Sequence, residues 1–277
     1  MDITKLKDRM NNKLQAQQQE PEKERTITMN NTTNMTNMGN MTNITNTAVA
    51  PINNNSNYLA LTNNALEIIR ANLKNQPLSF QLFDIIKSPS GGTTAFTVPT
   101  MAGDEVKKDI TGIILDYDTP RAYWDTPDPV EGTPPVCYSR DSLSSFEGKT
   151  CSRCVYNDFG SKNGGDTQAK ACKESVAIYL LRPDNIMPII VRVPVSSKLI
   201  FQKYMTRLIG NMIPACGVVT RITLEKATNK TGQPYALYNF EAVSTLSPEE
   251  TASARAFGQK FMEILNAADV PVMEEAV

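Results

Sequence analysis

The residues of this chain best suited to chemistry are four cysteines, Cys137, Cys151, Cys154 and Cys172. Zn2+ takes soft thiolates in a tetrahedron. Cys151-Ser152-Arg153-Cys154 sets two of them on one tight turn, the common half of a zinc ribbon or knuckle, and Cys137 and Cys172 supply the other half. The intervening residues number thirteen, two and seventeen, so the second pair is split around the first. A redox-active C-x-x-C is the competing reading of the central pair. Four protein ligands leave no open position for water or substrate, so the expected ion, one Zn2+ per chain, is structural. Cys216, between Pro214-Ala215 and Gly217-Val218, reads as a small buried residue and not as a fifth ligand.

Basic and aromatic residues interleave with the proposed ligands. Arg121, Tyr123, Trp124, Tyr138, Lys149, Arg153, Tyr156, Phe159, Lys162 and Lys173 are candidate contacts to single-stranded nucleic acid. Cations track the phosphates of such a strand, while exposed rings stack on its unpaired bases at about 1–3 kcal/mol each. Trp124, the sole tryptophan, follows a predicted strand, where a stacking platform could stand. Rings beside zinc knuckles also serve simply to pack over the metal, which is the competing reading of these residues. No catalytic residue is assigned. The chain has no histidine, which removes Ser-His-Asp and Cys-His catalysis and His-based metal sites. Asp116, Asp118, Asp125 and Asp128 match no calcium loop and read as a solvated loop face.

The elements that must hold these residues can be read from periodicity. Residues 119–173 lack regular periodicity and collect prolines at 120, 127, 129, 134 and 135. Such an insertion, without an apolar core of its own, needs a cross-link to offset its ordering entropy, and a tetrathiolate metal supplies one. On either side, Ile110–Tyr117, Val176–Arg182 and Ile186–Val193 read as strands. Gln81–Ile86 and Ala95–Val98 read as a hairpin, and so do Val218–Glu225 and Tyr235–Ser244. Helices are expected after Thr62, over 196–210 with Ser196 or Ser197 as the cap, and after Ser247.

These features predict a mainly β, α+β fold: an OB-like antiparallel barrel over 57–266, with the zinc-binding insertion and flanking helices. Residues 1–56 contain an Asn/Thr-rich stretch expected to be disordered, preceded by a possible short amphipathic helix over Ile3, Leu6, Met10 and Leu14. Residues 57–248 carry 20 Lys and Arg against 18 Asp and Glu, whereas 249–277 carry 2 against 6. The acidity therefore belongs to the C-terminal end, where the tip at 267–277 could dock basic partners. No apolar run approaches the ~20 residues that cross a bilayer, and no hydrophobic stretch of a signal peptide opens the chain. With an odd cysteine number this predicts no membrane partner and a reducing cytoplasm.

Gly112-Ile113-Ile114-Leu115, Arg121-Ala122-Tyr123-Trp124, Pro135-Val136-Cys137-Tyr138-Ser139, Cys151-Ser152-Arg153-Cys154, Asn157-Asp158-Phe159-Gly160-Ser161, Lys170-Ala171-Cys172-Lys173 and Pro194-Val195-Ser196-Ser197 together resemble a family of zinc-containing proteins encoded by phages and integrated elements of bacteria. The arrangement is also similar to phage single-strand DNA-binding proteins, in which an oligonucleotide-binding barrel carries a zinc subdomain and an acidic C-terminus. This chain differs from them in lacking a histidine ligand and in its cysteine order. The resemblance implies a non-catalytic protein that binds single-stranded DNA in a bacterial host's cytoplasm, acting in replication or recombination and meeting such proteins through its acidic tip. The alternatives are a zinc-stabilised adaptor without nucleic-acid binding and a nuclease using Asp116 or Asp118.

Overall fold

The computed structural model describes residues 58–61, 64–74, 76, 82–126, 133–162, 169–230 and 232–266, all within one compact unit, Ala48–Val277. The N-terminal arm, its amphipathic segment, the acidic tip, Thr62, Pro77 and Asp128 lie outside the described residues.

Ten strands are described: β1 (Ile85–Ile86), β2 (Phe96–Thr100), β3 (Gly103–Lys107), β4 (Asp109–Asp118), β5 (Arg121–Tyr123), β6 (Cys137–Ser139), β7 (Lys173–Leu181), β8 (Ile189–Pro194), β9 (Val218–Thr228) and β10 (Pro234–Thr245). Three α-helices accompany them: α1 (Ala65–Asn72), α2 (Val195–Gly210) and α3 (Pro248–Asn266). The fold is α+β and mainly sheet, with one sheet curled into a half-barrel. Its path runs β1-β8-β7-β4-β9-β10, with β5 and β6 branching from β7, while β2 and β3 form a separate hairpin.

The apolar run of β7 shows why this sheet forms. Val176 to Leu181 is buried along its length, and the pleat sends alternate side chains to opposite faces. Ile178 and Leu180 join Phe201, Tyr204 and Leu208 of α2, whereas Tyr179 and Leu181 join Phe257, Phe261 and Leu265 of α3. A strand covered on both faces has no polar positions to alternate, hence the continuous apolar sequence. β4 reaches β7 closely at Gly112, where a Cβ would stand 2.4 Å from the Leu181 carbonyl oxygen. A register shift between Ile114 and Asp116 then turns the end of β4 toward the insertion.

Several expectations hold in the backbone. The predicted hairpin pairs as β9 and β10 from Val218↔Thr245 to Thr228↔Pro234, and β7 and β8 pair as predicted. Ser247 and Glu250 close a reciprocal capping box at the start of α3: the Glu250 N–H donates to Ser247 Oγ at 3.1 Å, and the Ser247 N–H donates to Glu250 Oε2 at 2.9 Å. Cys216 is buried in the core cluster beside α3.

Other expectations are corrected. β1 does not pair with the 95–98 segment; it lies parallel to β8, through Ile85↔Ile190 and Ile86↔Val191, so the sheet is mixed at that edge. The short β7–β8 turn leaves the outer side of β8 for a segment whose direction no hairpin fixes. Phe96–Thr100 folds back instead onto the wholly exposed β3, across a turn in which Gly103 has φ 114. Ser197 does not cap α2, since Pro194 occupies the cap position. Its Oγ accepts the Tyr238 N–H at 3.0 Å, which locks α2 onto β10.

Candidate metal centre and nucleic-acid interface

The insertion is built on β5, three residues wedged between β6 and the start of β7. Arg121 faces Ser139 and Glu174, Ala122 faces Tyr138 and Lys173, and Tyr123 faces Cys137. Ala122, Trp124 and Tyr138 form a small buried cluster, so the expected coreless insertion has a nucleus after all. Cys172 precedes β7, and its N–H donates to the Tyr156 carbonyl at 2.8 Å. Cys151 opens the first of two 3-10 turns, Cys151–Arg153 and Val155–Asn157, and Cys154 joins them, its N–H returning to the Cys151 carbonyl at 3.3 Å.

Strand pairing and the double turn converge on a point. All four cysteines line one cavity of about 30 Å³, together with Arg121, Ser145, Tyr156 and Asn157. Among the described residues no group of three or more Cys, Asp or Glu stands at ligand spacing; the shared cavity nevertheless brings four short, rotatable thiols around a space of about one small ion. Burial pushes the Cys172 thiol up to about 11, opposed by Arg121 and reinforced by Cys154, Cys137 and Cys151. Burial likewise raises Cys137, with Ser145 opposing and Cys154 and Cys151 adding to it. Thiols that discourage one another's ionisation are the groups a divalent cation would stabilise as thiolates, releasing protons as it binds. Four thiols lining one cavity are the donor chemistry that a structural zinc takes.

A polar network fastens this knuckle to the half-barrel. Asn157 donates from Nδ2 to the Cys151 carbonyl at 3.0 Å, and its Oδ1 accepts from Arg121 and, at 3.1 Å, from Lys170. Arg121, with its side chain only 12% exposed, also donates to Glu174 Oε2 at 2.7 Å. The other carboxylate oxygen of Glu174 accepts from Lys198 of α2. Nearby, Asp118 accepts from Arg140 at 2.6 Å and from the Tyr179 hydroxyl at 2.8 Å.

Beside the knuckle runs a cleft of about 330 Å³, lined by Tyr123, Trp124, Asp125, Thr126, Val155, Tyr156, Ser161, Lys162, Ala171 and Lys173. Half of the expected nucleic-acid contacts are thus gathered here, from three separate stretches of chain. Tyr123 and Tyr156 lie nearly parallel, 3.9 Å between centroids. Trp124 presents little surface: it is 8% exposed and its indole N–H donates to the Thr133 carbonyl at 2.9 Å. Phe159, 76% exposed, stands outside the cleft with the Lys170 ammonium 4.5 Å from its ring. Lys149 pairs with Glu147 at 2.5 Å on the surface, and Arg153 is exposed on the knuckle turn. Two further expected contacts are engaged within the protein: Arg121 with Glu174 and Asn157, and the buried Tyr138 in a stack with the exposed ring of Phe146.

Sequence reasoning did not find Asn157 or Glu174, because a lone amide and a lone carboxylate have no spacing signature. Neither a family model, a curated protein nor a solved structure matches the chain.

Proposed function

We propose that this protein binds single-stranded DNA without catalysing a reaction, on an OB-like half-barrel whose insertion is clamped by one structural zinc at Cys137, Cys151, Cys154 and Cys172. The observation that carries the reading is the juxtaposition of the four-thiol cavity with a cleft in which Tyr123 and Tyr156 are stacked and Lys162 and Lys173 line the wall. Stacking rings and phosphate-seeking cations are the combination that holds an unpaired strand with little sequence preference. Tyr123 comes from β5, Tyr156 and Lys162 from the knuckle and Lys173 from the start of β7, and the Asn157–Arg121 bond ties the knuckle to β5. The resemblance to proteins of phages and mobile elements points to replication or recombination in a bacterial cytoplasm, with partner proteins meeting the acidic C-terminal tip.

A nuclease finds less support, since Asp118 is engaged by Arg140 and Tyr179. The adaptor reading draws on one observation: Leu143, Phe146, Val155 and Phe159 of the insertion are each more than half exposed, and exposed apolar side chains of this size suit a protein partner where they adjoin. A fluorescence titration with single-stranded DNA, duplex DNA and RNA at two salt concentrations separates the readings. Tight, salt-sensitive binding to the single strand supports the proposal; binding to none of the three favours the adaptor.

A further inference from the structure

Among the described residues that line the cleft, Asp125 supplies the only carboxylate, and holding phosphates gives it no task. Its place is informative. Asp125 lines the same cleft as Tyr123 and Tyr156, whose rings are stacked. Lys162 and Lys173 line the same cleft. The Ser161 hydroxyl is already used, donating to the Tyr156 carbonyl and accepting the Ala171 N–H. At about 330 Å³ the cleft falls at the small end of ligand pockets, which start near 300 Å³.

An ionised carboxylate only accepts hydrogen bonds. Cytosine, adenine and guanine carry an exocyclic amino group that donates to such an acceptor, whereas thymine carries O4 in its place and offers only its ring N3–H. Resting on the single-strand reading above, we propose that this cleft is a nucleotide subsite selective for an amino-bearing base over thymine: the base packs at Tyr156 with its amine toward Asp125, and the attached phosphate lies toward Lys162 and Lys173. The strand is then bound with a base preference that stacking alone does not give. Asp125 is exposed, so its discrimination falls at the low end of the range for base-edge contacts, about fivefold.

The test is an anisotropy titration of the full-length, zinc-replete protein and of Asp125→Asn with labelled oligo-dC and oligo-dT at mildly alkaline pH. Asp125→Asn keeps the size of the side chain and offers thymine O4 a donor, so the wild type should favour oligo-dC about fivefold and the variant should lose or reverse that preference. Unchanged zinc content and melting temperature in the variant keep the comparison local. Tight wild-type binding to both strands with no preference, or the same preference in both proteins, would overturn the subsite and leave the single-strand reading standing. Failure of the zinc-replete wild type to bind either strand would remove both.

Discussion

Asn157 donates its side-chain N–H to the carbonyl oxygen of Cys151 at 3.0 Å, which ties the end of the knuckle to its beginning. The same amide accepts from Arg121 and Lys170, so one residue holds the double turn closed and fixes it to β5. In Asn157→Ala the half-buried Arg121 loses an acceptor, at a cost of about 1–2 kcal/mol. Zinc should then pass to a chelator several-fold faster than from the wild type, with the half-barrel still folded by circular dichroism. Identical release rates would mean that the network does not hold the knuckle.

Gly112 sits where β4 and β7 approach, and the obstacle to a Cβ is a backbone carbonyl that cannot rotate away. Gly112→Ala should therefore destabilise the protein by about 2–3 kcal/mol, lowering the melting temperature by about 5–10 °C in a thermal scan. A shift within a degree would show that the two strands separate freely.

Tyr156→Ala removes the more exposed face of the Tyr123–Tyr156 stack, and Lys162→Ala removes a cation from the cleft. The first should weaken oligo-dT binding about tenfold with little change in salt dependence. The second should weaken it less but lower the slope of log affinity against log salt by about one. Wild-type affinity and slope in both variants would move the interface elsewhere.

Much of the fold is legible in the sequence because burial leaves a periodic trace. Covered on both faces, β7 reads as an unbroken apolar run, and the β9–β10 hairpin carries its own turn chemistry. β3 is not legible: Gly103-Asp104-Glu105-Val106-Lys107 is exposed throughout and is a strand only because its backbone pairs with β2. β5 and β6, three residues each, are too short to show a period. Cysteine spacing singled out the four residues that share a cavity, whereas the Tyr123–Tyr156 stack and the Arg121–Glu174 ion pair join positions far apart in sequence, which only tertiary structure brings together. Trp124 stood out by residue type, yet its burial depends on a carbonyl nine residues away, that of Thr133.

Asp141 gives a pH dependence of defined sign. The backbone N–H groups of Leu143 and Ser144 donate to its carboxylate at 2.8 and 3.1 Å, with the Ser139 hydroxyl at 3.1 Å. Led by the Leu143 bond, these hold its pKa below the usual aspartate range. A group depressed in the folded state contributes stability above its unfolded pKa of ~3.9 and loses it as pH falls through the folded value. Asp141→Asn should therefore lower the melting temperature modestly at neutral pH, the gap narrowing as the pH falls from the unfolded pKa of ~3.9 through the lower folded value. A gap that widens on acidification would contradict this assignment.

The most direct measurement is the metal content of the full-length protein purified under reducing conditions, set beside Cys151→Ser and Cys172→Ser. About one zinc per chain is predicted for the wild type and a large loss in each variant, as four thiolates around one closed ion require. A reduced, folded wild type without stoichiometric metal, or variants that keep all of it, would contradict a metal-clamped knuckle beside the cleft.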